Sequence, residues 1–395
     1  MDNRDDDGER GRGGKDARSH GDARTGGRKK AKGPSKPNRG ITDDVDFLEK
    51  VALSKYRHEG RPSNRSISRV ALDLGTSESA VRSADHRIHD LGIVYPQVIT
   101  RRERAEIFRL EHLIKQQYGL REVMLVGGLP AILDKPTGNY RFTLWTQVNR
   151  EMALRVAEYL DAYLAKFVDD RNGPLIGCAW GRTLDQVAHV LENTPRAVQL
   201  RRARVKPIIG GTLAAHYDAV EANVIASKIA RAIGGRSEQL LCPAILSVKQ
   251  SEFVINASPI REALQEIRRC NLVLTGIGAS LDDADADTEI NLVNDPKMSR
   301  TLLESARSYG AIGEICCWFF RANGDEVETE HHVVGLGYEG LKRIAADSNR
   351  RVVLITGGDA KRFVPLKVAL NAKLASALVT DTITARFLVG ELDGV

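Results

Sequence analysis

From Gly119 onward, short apolar runs alternate with segments whose apolar positions recur every three or four residues. The runs predict strands near Glu122–Val126, Leu175–Trp180, Ala197–Leu200, Leu240–Leu246, Asn271–Ile277, Gly313–Phe320, Val352–Thr356 and Ala377–Thr380. The periodic segments predict helices near Thr146–Phe167, Leu184–Glu192, Ala219–Ile233, Ile260–Arg269, Tyr338–Ala346, Ala360–Leu370 and Thr384–Leu392. Such alternation implies a doubly wound α/β domain, its mostly parallel sheet covered by helices on both faces. Ligands of such sheets sit beyond the carboxyl ends of the strands.

The chain before Gly119 is patterned differently. Asp43 and Asp44 can cap a helix whose apolar face is Leu48, Val51, Ala52 and Tyr56, and a polar loop follows over His58–Asn64. Ile67, Val70, Ala71 and Leu74 then predict a second short helix, ended by Gly75, the residue best suited to a left-handed backbone. Thr76-Ser77 can cap a third helix from about Glu78 to Asp90, with Val81, Ala84, Ile88 and Leu91 inward. Two short helices around a tight glycine turn, braced by an earlier one, make a helix-turn-helix. Its outward face carries Ser79, Arg82, Ser83 and His86, where Arg82 suits the O6/N7 acceptor pair of guanine. Arg61, Arg65, Arg69 and Arg87 are candidate phosphate contacts. The same spacing also fits a three-helix fragment packed on the rest with solvated arginines. In residues 101–118, Ile107, Leu110, Leu113 and Ile114 form one stripe, which can pair with a second copy or pack back on the following domain.

Charge refines this division. Residues 1–40 carry 12 Lys/Arg against 7 Asp/Glu, whereas residues 119–395 sum to zero, so the excess of +6 says little about the large domain. The first 40 residues hold nine Gly and no Val, Ile, Leu or Phe, which predicts a disordered basic arm. Its cluster Arg28-Lys29-Lys30-Ala31-Lys32 can lie along DNA phosphates. Four regions result: an arm over 1–40, a DNA-binding domain over 41–100, a linker helix over 101–118 and an effector domain over 119–395. No apolar run approaches a membrane span, no secretion signal opens the chain, and five cysteines form no disulfide-like framework; a reducing cytoplasm is expected.

Several predicted strands end in small residues followed by a helix. Backbone N–H groups after Gly181, with the Thr183 hydroxyl, form an anion site within Gly177-Cys178-Ala179-Trp180-Gly181-Arg182-Thr183. Thr275-Gly276-Ile277-Gly278, Thr356-Gly357-Gly358-Asp359-Ala360-Lys361 and Thr380-Asp381 repeat the arrangement, and Lys361 can supply a point charge for phosphate. Glu314, in Gly310-Ala311-Ile312-Gly313-Glu314, can accept sugar hydroxyls or act as a base. The acidic run 282–287 lacks the glycine and glutamate of a calcium loop, and His331-His332 lacks partners at zinc spacing. Cys316-Cys317 reads as core within an apolar strand. Without a P-loop or GxSxG, no metal or cofactor is expected, only a small effector.

Taken together, Val70–Ser77, Leu91–Val94, Gly177–Leu184, Gly276–Gly278, Gly310–Glu314, Gly357–Lys361 and Leu378–Asp381, continuing to Ala385, resemble the SorC/DeoR-type sugar-responsive transcriptional regulators of bacteria, from about residue 46 to 392. The resemblance implies a helix-turn-helix coupled to an effector domain like sugar-phosphate isomerases and deaminases, usually in a tetramer. It also implies operator DNA and a sugar or sugar phosphate as partners, with Gly181, Arg182, Thr183 and Lys361 at the phosphate end and Glu314 at the sugar. Gly276, Gly278 and Asp381 complete the expected effector set. The recognition segment Ser77–Ser83 departs from the family's usual Ser-Arg-Pro-Thr-Val-Ser-Arg, so operator sequence does not carry over. A non-catalytic regulator, dimeric or tetrameric, is the leading expectation. The alternative is an isomerase or deaminase with an accessory DNA module, using Glu314 as base and Lys361 on the phosphate.

Overall fold

A computed structural model describes residues 47, 50–51, 57–58, 61–62, 66–90, 101–128, 138–194, 200–211, 220–281 and 296–392. The arm over 1–40, with its basic cluster, lies outside the described residues, as do Arg65 and the acidic run 282–287.

Near the front, α1 (Ile67–Asp73) and α2 (Glu78–Asp90) close on a small core of Val51, Val70, Ala71, Val81 and Ala84. Between them Gly75 takes φ +60°, and Thr76 N donates back to Ala71 O at 2.9 Å, the backbone closure expected of a helix that ends on glycine. Ser77 then caps α2, its Oγ accepting from Ala80 N at 3.2 Å. The polar loop expected at His58–Asn64 is in part a hairpin, since Arg57–His58 pairs antiparallel with Arg61–Pro62.

The large domain is built on seven strands: β1 (Glu122–Val126), β2 (Leu175–Cys178), β3 (Arg204–Pro207), β4 (Arg236–Ser237), β6 (Leu272–Thr275), β11 (Arg351–Ile355) and β12 (Ala377–Asp381). They lie in the order β1-β12-β11-β6-β2-β3-β4, every neighbour parallel. Residues alternate between two cores. Ile176, Leu272, Leu274, Val353 and Ile355 face α4 (Gly138–Leu164), α5 (Arg182–Asn193) and α6 (Ala222–Ala232). Leu125, Val273, Val352, Leu354 and Leu378 face the opposite core, which takes in α3 (Arg101–Tyr118), α11 (Phe363–Asn371) and α12 (Thr382–Leu388). Both faces are therefore covered, as a doubly wound sheet requires.

Three departures from the sequence reading have physical causes. The strand expected at Ala197–Leu200 lies outside the described residues except for Leu200, which is not in a strand; the strand observed just beyond it is β3, whose Arg204 and Lys206 are held by Glu238 and Glu266. The single strand expected over Gly313–Phe320 is a hairpin of β7 (Gly313–Ile315) and β8 (Trp318–Phe320), turning on Cys316 and Cys317 at φ 53° and 60°. The stretch Leu240–Leu246 yields only β5 (Ile245–Ser247), which pairs outside the main sheet with β10 (His331–Val333). β9 (Glu326–Val327) extends the hairpin. Among the described residues, no helix is long and apolar enough to cross a membrane.

Candidate functional site

Strand order decides where a ligand can sit. From β2 the chain steps outward through β3 and β4, whereas β6 starts on the other side of β2 and leads to β11 and β12. The order reverses between β2 and β6, and at such a reversal the loops leave in opposite directions and open a crevice. Ala179 N still donates to Leu274 O at 2.9 Å, so the chain follows β6 before turning away. Gly181, at φ 111°, makes that turn and is the N-terminal cap residue of α5, with no side chain to fill the helix end. The N–H groups of the first helical turn lack intrahelical carbonyls and carry the positive end of the dipole. Arg182 is exposed and Thr183 half-buried at that end.

Across the crevice, backbone hydrogen bonds lace three loops into one rim. Gly278 N donates to Glu314 O at 3.1 Å, Leu281 N to Ile312 O at 3.1 Å, and Ser280 N to Lys361 O at 2.8 Å. Glu314 is drawn in further by Cys317 N, which donates to its Oε2 at 2.6 Å. Burial, and secondly the Glu314 carboxylate, pushes the Cys316 and Cys317 thiols up, so neither is a ready thiolate nucleophile. Lys361 is oriented by its own N–H, which donates to Asp359 Oδ1 at 3.2 Å. These bonds join Gly278, Glu314 and Lys361 in one rim, while Gly181, Arg182 and Thr183 follow β2, and Gly276 follows β6, at the carboxyl edge of the sheet. Residues 129–137, 212–219 and 282–295 lie outside the described residues.

Asp381 has a different place from the one expected. It is 0% exposed. Its Oδ1 accepts from Ile383 N and Thr384 N at 2.9 Å each, and its Oδ2 from Gly358 N at 2.9 Å and Thr384 Oγ1 at 2.7 Å. Four donors occupy its acceptor sites, so it caps α12 and fixes the Gly357-Gly358 turn rather than touching a ligand. Asp359 and Ser280, which position Lys361, are the residues the sequence reading missed; the Asp two places before Lys361 was the available signal.

Gly278 offers a direct test. A Cβ there would land on the Glu314 carboxylate, whereas one on Gly276 finds Ile355 O and Leu184 Cδ2 at an ordinary 3.7 Å. Gly278→Ala is expected to weaken effector binding about tenfold, or ~1.4 kcal/mol, by displacing Glu314, while Gly276→Ala changes it little. Calorimetric titration of both variants checks this, and equal affinities would remove Glu314 from the site.

On α2, Val81 and Ala84 are fully buried while Ser79, Arg82 and Ser83 are exposed, as a DNA-reading face requires. Arg69 is exposed on α1 and pairs with Asp73 at 3.4 Å. His86 and Arg87 are on α2 and Arg61 is in the hairpin, but their side chains lie outside the described residues.

Residues 102–390 match the family described as "Putative sugar-binding domain". The chain belongs to this sugar-binding domain family. It is 26% identical over 243 residues to a transcriptional regulator of Escherichia coli K12, YjhU, covering 60% of this chain and 67% of that one. It is 23% identical to the deoxyribonucleoside regulator of Bacillus subtilis over 84% of this chain and 94% of the relative. The fold is that of the full-length sorbitol operon regulator SorC from Klebsiella pneumoniae, with TM-score 0.59, 21% identity, and coverage of 88% and 99%.

The matched stretch begins inside α3 and runs past α12. Leu110, Ile114 and Tyr118 are buried in the same apolar cluster as Leu125, Ile383 and Leu388, and Phe108 on another face stays 62% exposed. Of the two roles open for the stripe, packing on the effector domain accounts for its buried positions.

Proposed function

We propose that this SorC/DeoR-type regulator binds a sugar phosphate in the crevice between β2 and β6 and that occupancy alters its hold on operator DNA through α2. The observation that carries this is the placement, at the sheet's reversal point, of the α5 N-terminus after β2 and of the loop after β6, which is bonded to Lys361 and Glu314. A helix end and an ammonium suit a phosphate, and a carboxylate suits sugar hydroxyls. The reading is non-catalytic. Glu314 is engaged by Cys317 N–H and crowded by Gly278, and the adjacent thiols stay protonated. No cofactor enters the reading. A homodimer or homotetramer fits two operator half-sites read by paired α2 helices.

The test is a thermal-shift screen of pentose and hexose phosphates, followed by retention of promoter DNA with and without each hit. At 100 times its Kd a ligand adds ~2.7 kcal/mol, or roughly 5 °C in Tm for a domain this size. A hit that also changes retention supports the proposal; DNA retained identically with every ligand, or sugar phosphate turned over, overturns it.

A further inference from the structure

The effector rim and α3 share one packed connection, and α12 is its middle member. At its first turn, Asp381 accepts from Ile383 N and Thr384 N while the same carboxylate holds Gly358 N of the rim. At its last turn, the Leu388 carbonyl accepts from Tyr118 Oη at 2.8 Å and from Gln117 Nε2 at 3.2 Å, both on α3. Just beyond, Glu391 receives Arg109 of α3 at 2.5 and 2.7 Å, and Glu106 of α3 is shared between Arg109 at 2.9 Å and Arg386 of α12 at 3.6 Å. Phe387 stacks on Phe363, with centroids 4.8 Å apart, at the start of the helix that follows Lys361. Ile383, Ala385, Phe387 and Leu388 are all buried, so α12 has no slack on which to absorb a movement.

We infer that α12 is a strut that transmits occupancy of the rim to α3, with Asp381 as the positioning residue at one end and Tyr118 and Arg109 as the anchor at the other. The inference rests on the sugar-phosphate reading for its input. A ligand that draws in the Gly357–Lys361 turn shifts the Gly358 amide, Asp381 follows because Gly358 is one of its donors, and α12 moves as a short rigid rod about 10 Å long. In sequence only residues 91–100 separate α3 from α2, and a shift of α3 is the proposed route to the DNA-reading face. The anchor is made largely of exposed ion pairs and one buried hydroxyl bond, weak enough to be re-made in a second arrangement, which a switch between two states needs.

The test uses the full chain with Arg109→Gln and Tyr118→Phe, singly and together. Leu388 O keeps Gln117 as donor in Tyr118→Phe, so the fold is retained. Arg231→Gln, which removes an exposed ion pair with Glu192 on the opposite face, is the control. Without any ligand, coupling is reciprocal, so hydrogen exchange at Gly358, Ile383 and Thr384 is expected to rise about threefold or more in the double variant and not in the control. Unchanged exchange at those amides overturns the strut. With the best sugar phosphate from the thermal screen, the double variant is expected to keep the Tm rise while the ligand's effect on operator affinity falls below about twofold. A full ligand effect on operator affinity in that variant overturns the strut while leaving the sugar-phosphate reading intact. Failure of every sugar phosphate to raise the wild-type Tm strikes the effector reading, and the exchange measurement still decides the strut.

Discussion

Asp381→Ala is expected to lower the unfolding free energy by about 3–5 kcal/mol, the range for breaking a buried charged hydrogen-bond set. The estimate follows from what is stranded. Three backbone N–H groups and the Thr384 hydroxyl lose their acceptor at a site with no solvent access. Loss of the helix cap alone accounts for about 1 kcal/mol, and the unsatisfied Gly358 amide adds a comparable penalty. In thermal unfolding this corresponds to a fall of roughly 10 °C for a domain of this size. Asp381→Asn should lie between the two, because an amide keeps acceptor capacity on one side and presents N–H groups to donors on the other. The rim should suffer with the fold: Gly358 released from Asp381 no longer holds the turn leading to Lys361, so surviving Asp381→Asn protein should bind effector more weakly. A fall below about 1 kcal/mol in Asp381→Ala would mean that the four bonds are not made in solution.

The role of Asp381 was legible in part. An aspartate at the end of a strand with Thr384 three residues on is an N-cap signature as much as a ligand signature, and only the distances separate the two. The parallel sheet was written in the alternation of apolar runs and amphipathic segments, and β1, β11 and β12 fell within a residue or so of their expected ends. What the pattern could not carry was information held by distant partners. No strand was expected at Arg204–Pro207, where Glu238 and Glu266, 34 and 62 residues away from Arg204, hold Arg204 and Lys206 in β3. The β7–β8 turn left no trace because every residue from Ile315 to Phe320 is buried and neither central residue is Gly, Asn or Asp, the usual occupants of a turn with positive φ. The capping box of α7 (Val248–Asn256), Ser247 with Gln250, was by contrast plainly written and went unread.

For the DNA-reading face the decisive variant is Arg82→Ala, expected to cost about 1–3 kcal/mol in specific operator binding, or roughly 5- to 150-fold in Kd. Arg82 is exposed between the buried Val81 and Ala84, so its removal should leave the melting temperature nearly unchanged, as for most surface substitutions. Affinity and stability therefore separate in this variant, as they do not in Asp381→Ala. A guanidinium that reads guanine also predicts a change of preference: with Arg82 gone, one base position of the operator should tolerate substitution that the parent protein rejects. Arg69→Ala makes the contrast, since a phosphate contact on α1 weakens binding to all sequences alike and reduces the salt slope by about 1. Competition titrations against an operator and its single-base variants, at two salt concentrations, distinguish the two arginines. If Arg82→Ala weakens every sequence equally, α2 meets the phosphate backbone with Arg82 and the bases are read by another residue; if it weakens none, α2 does not enter the groove.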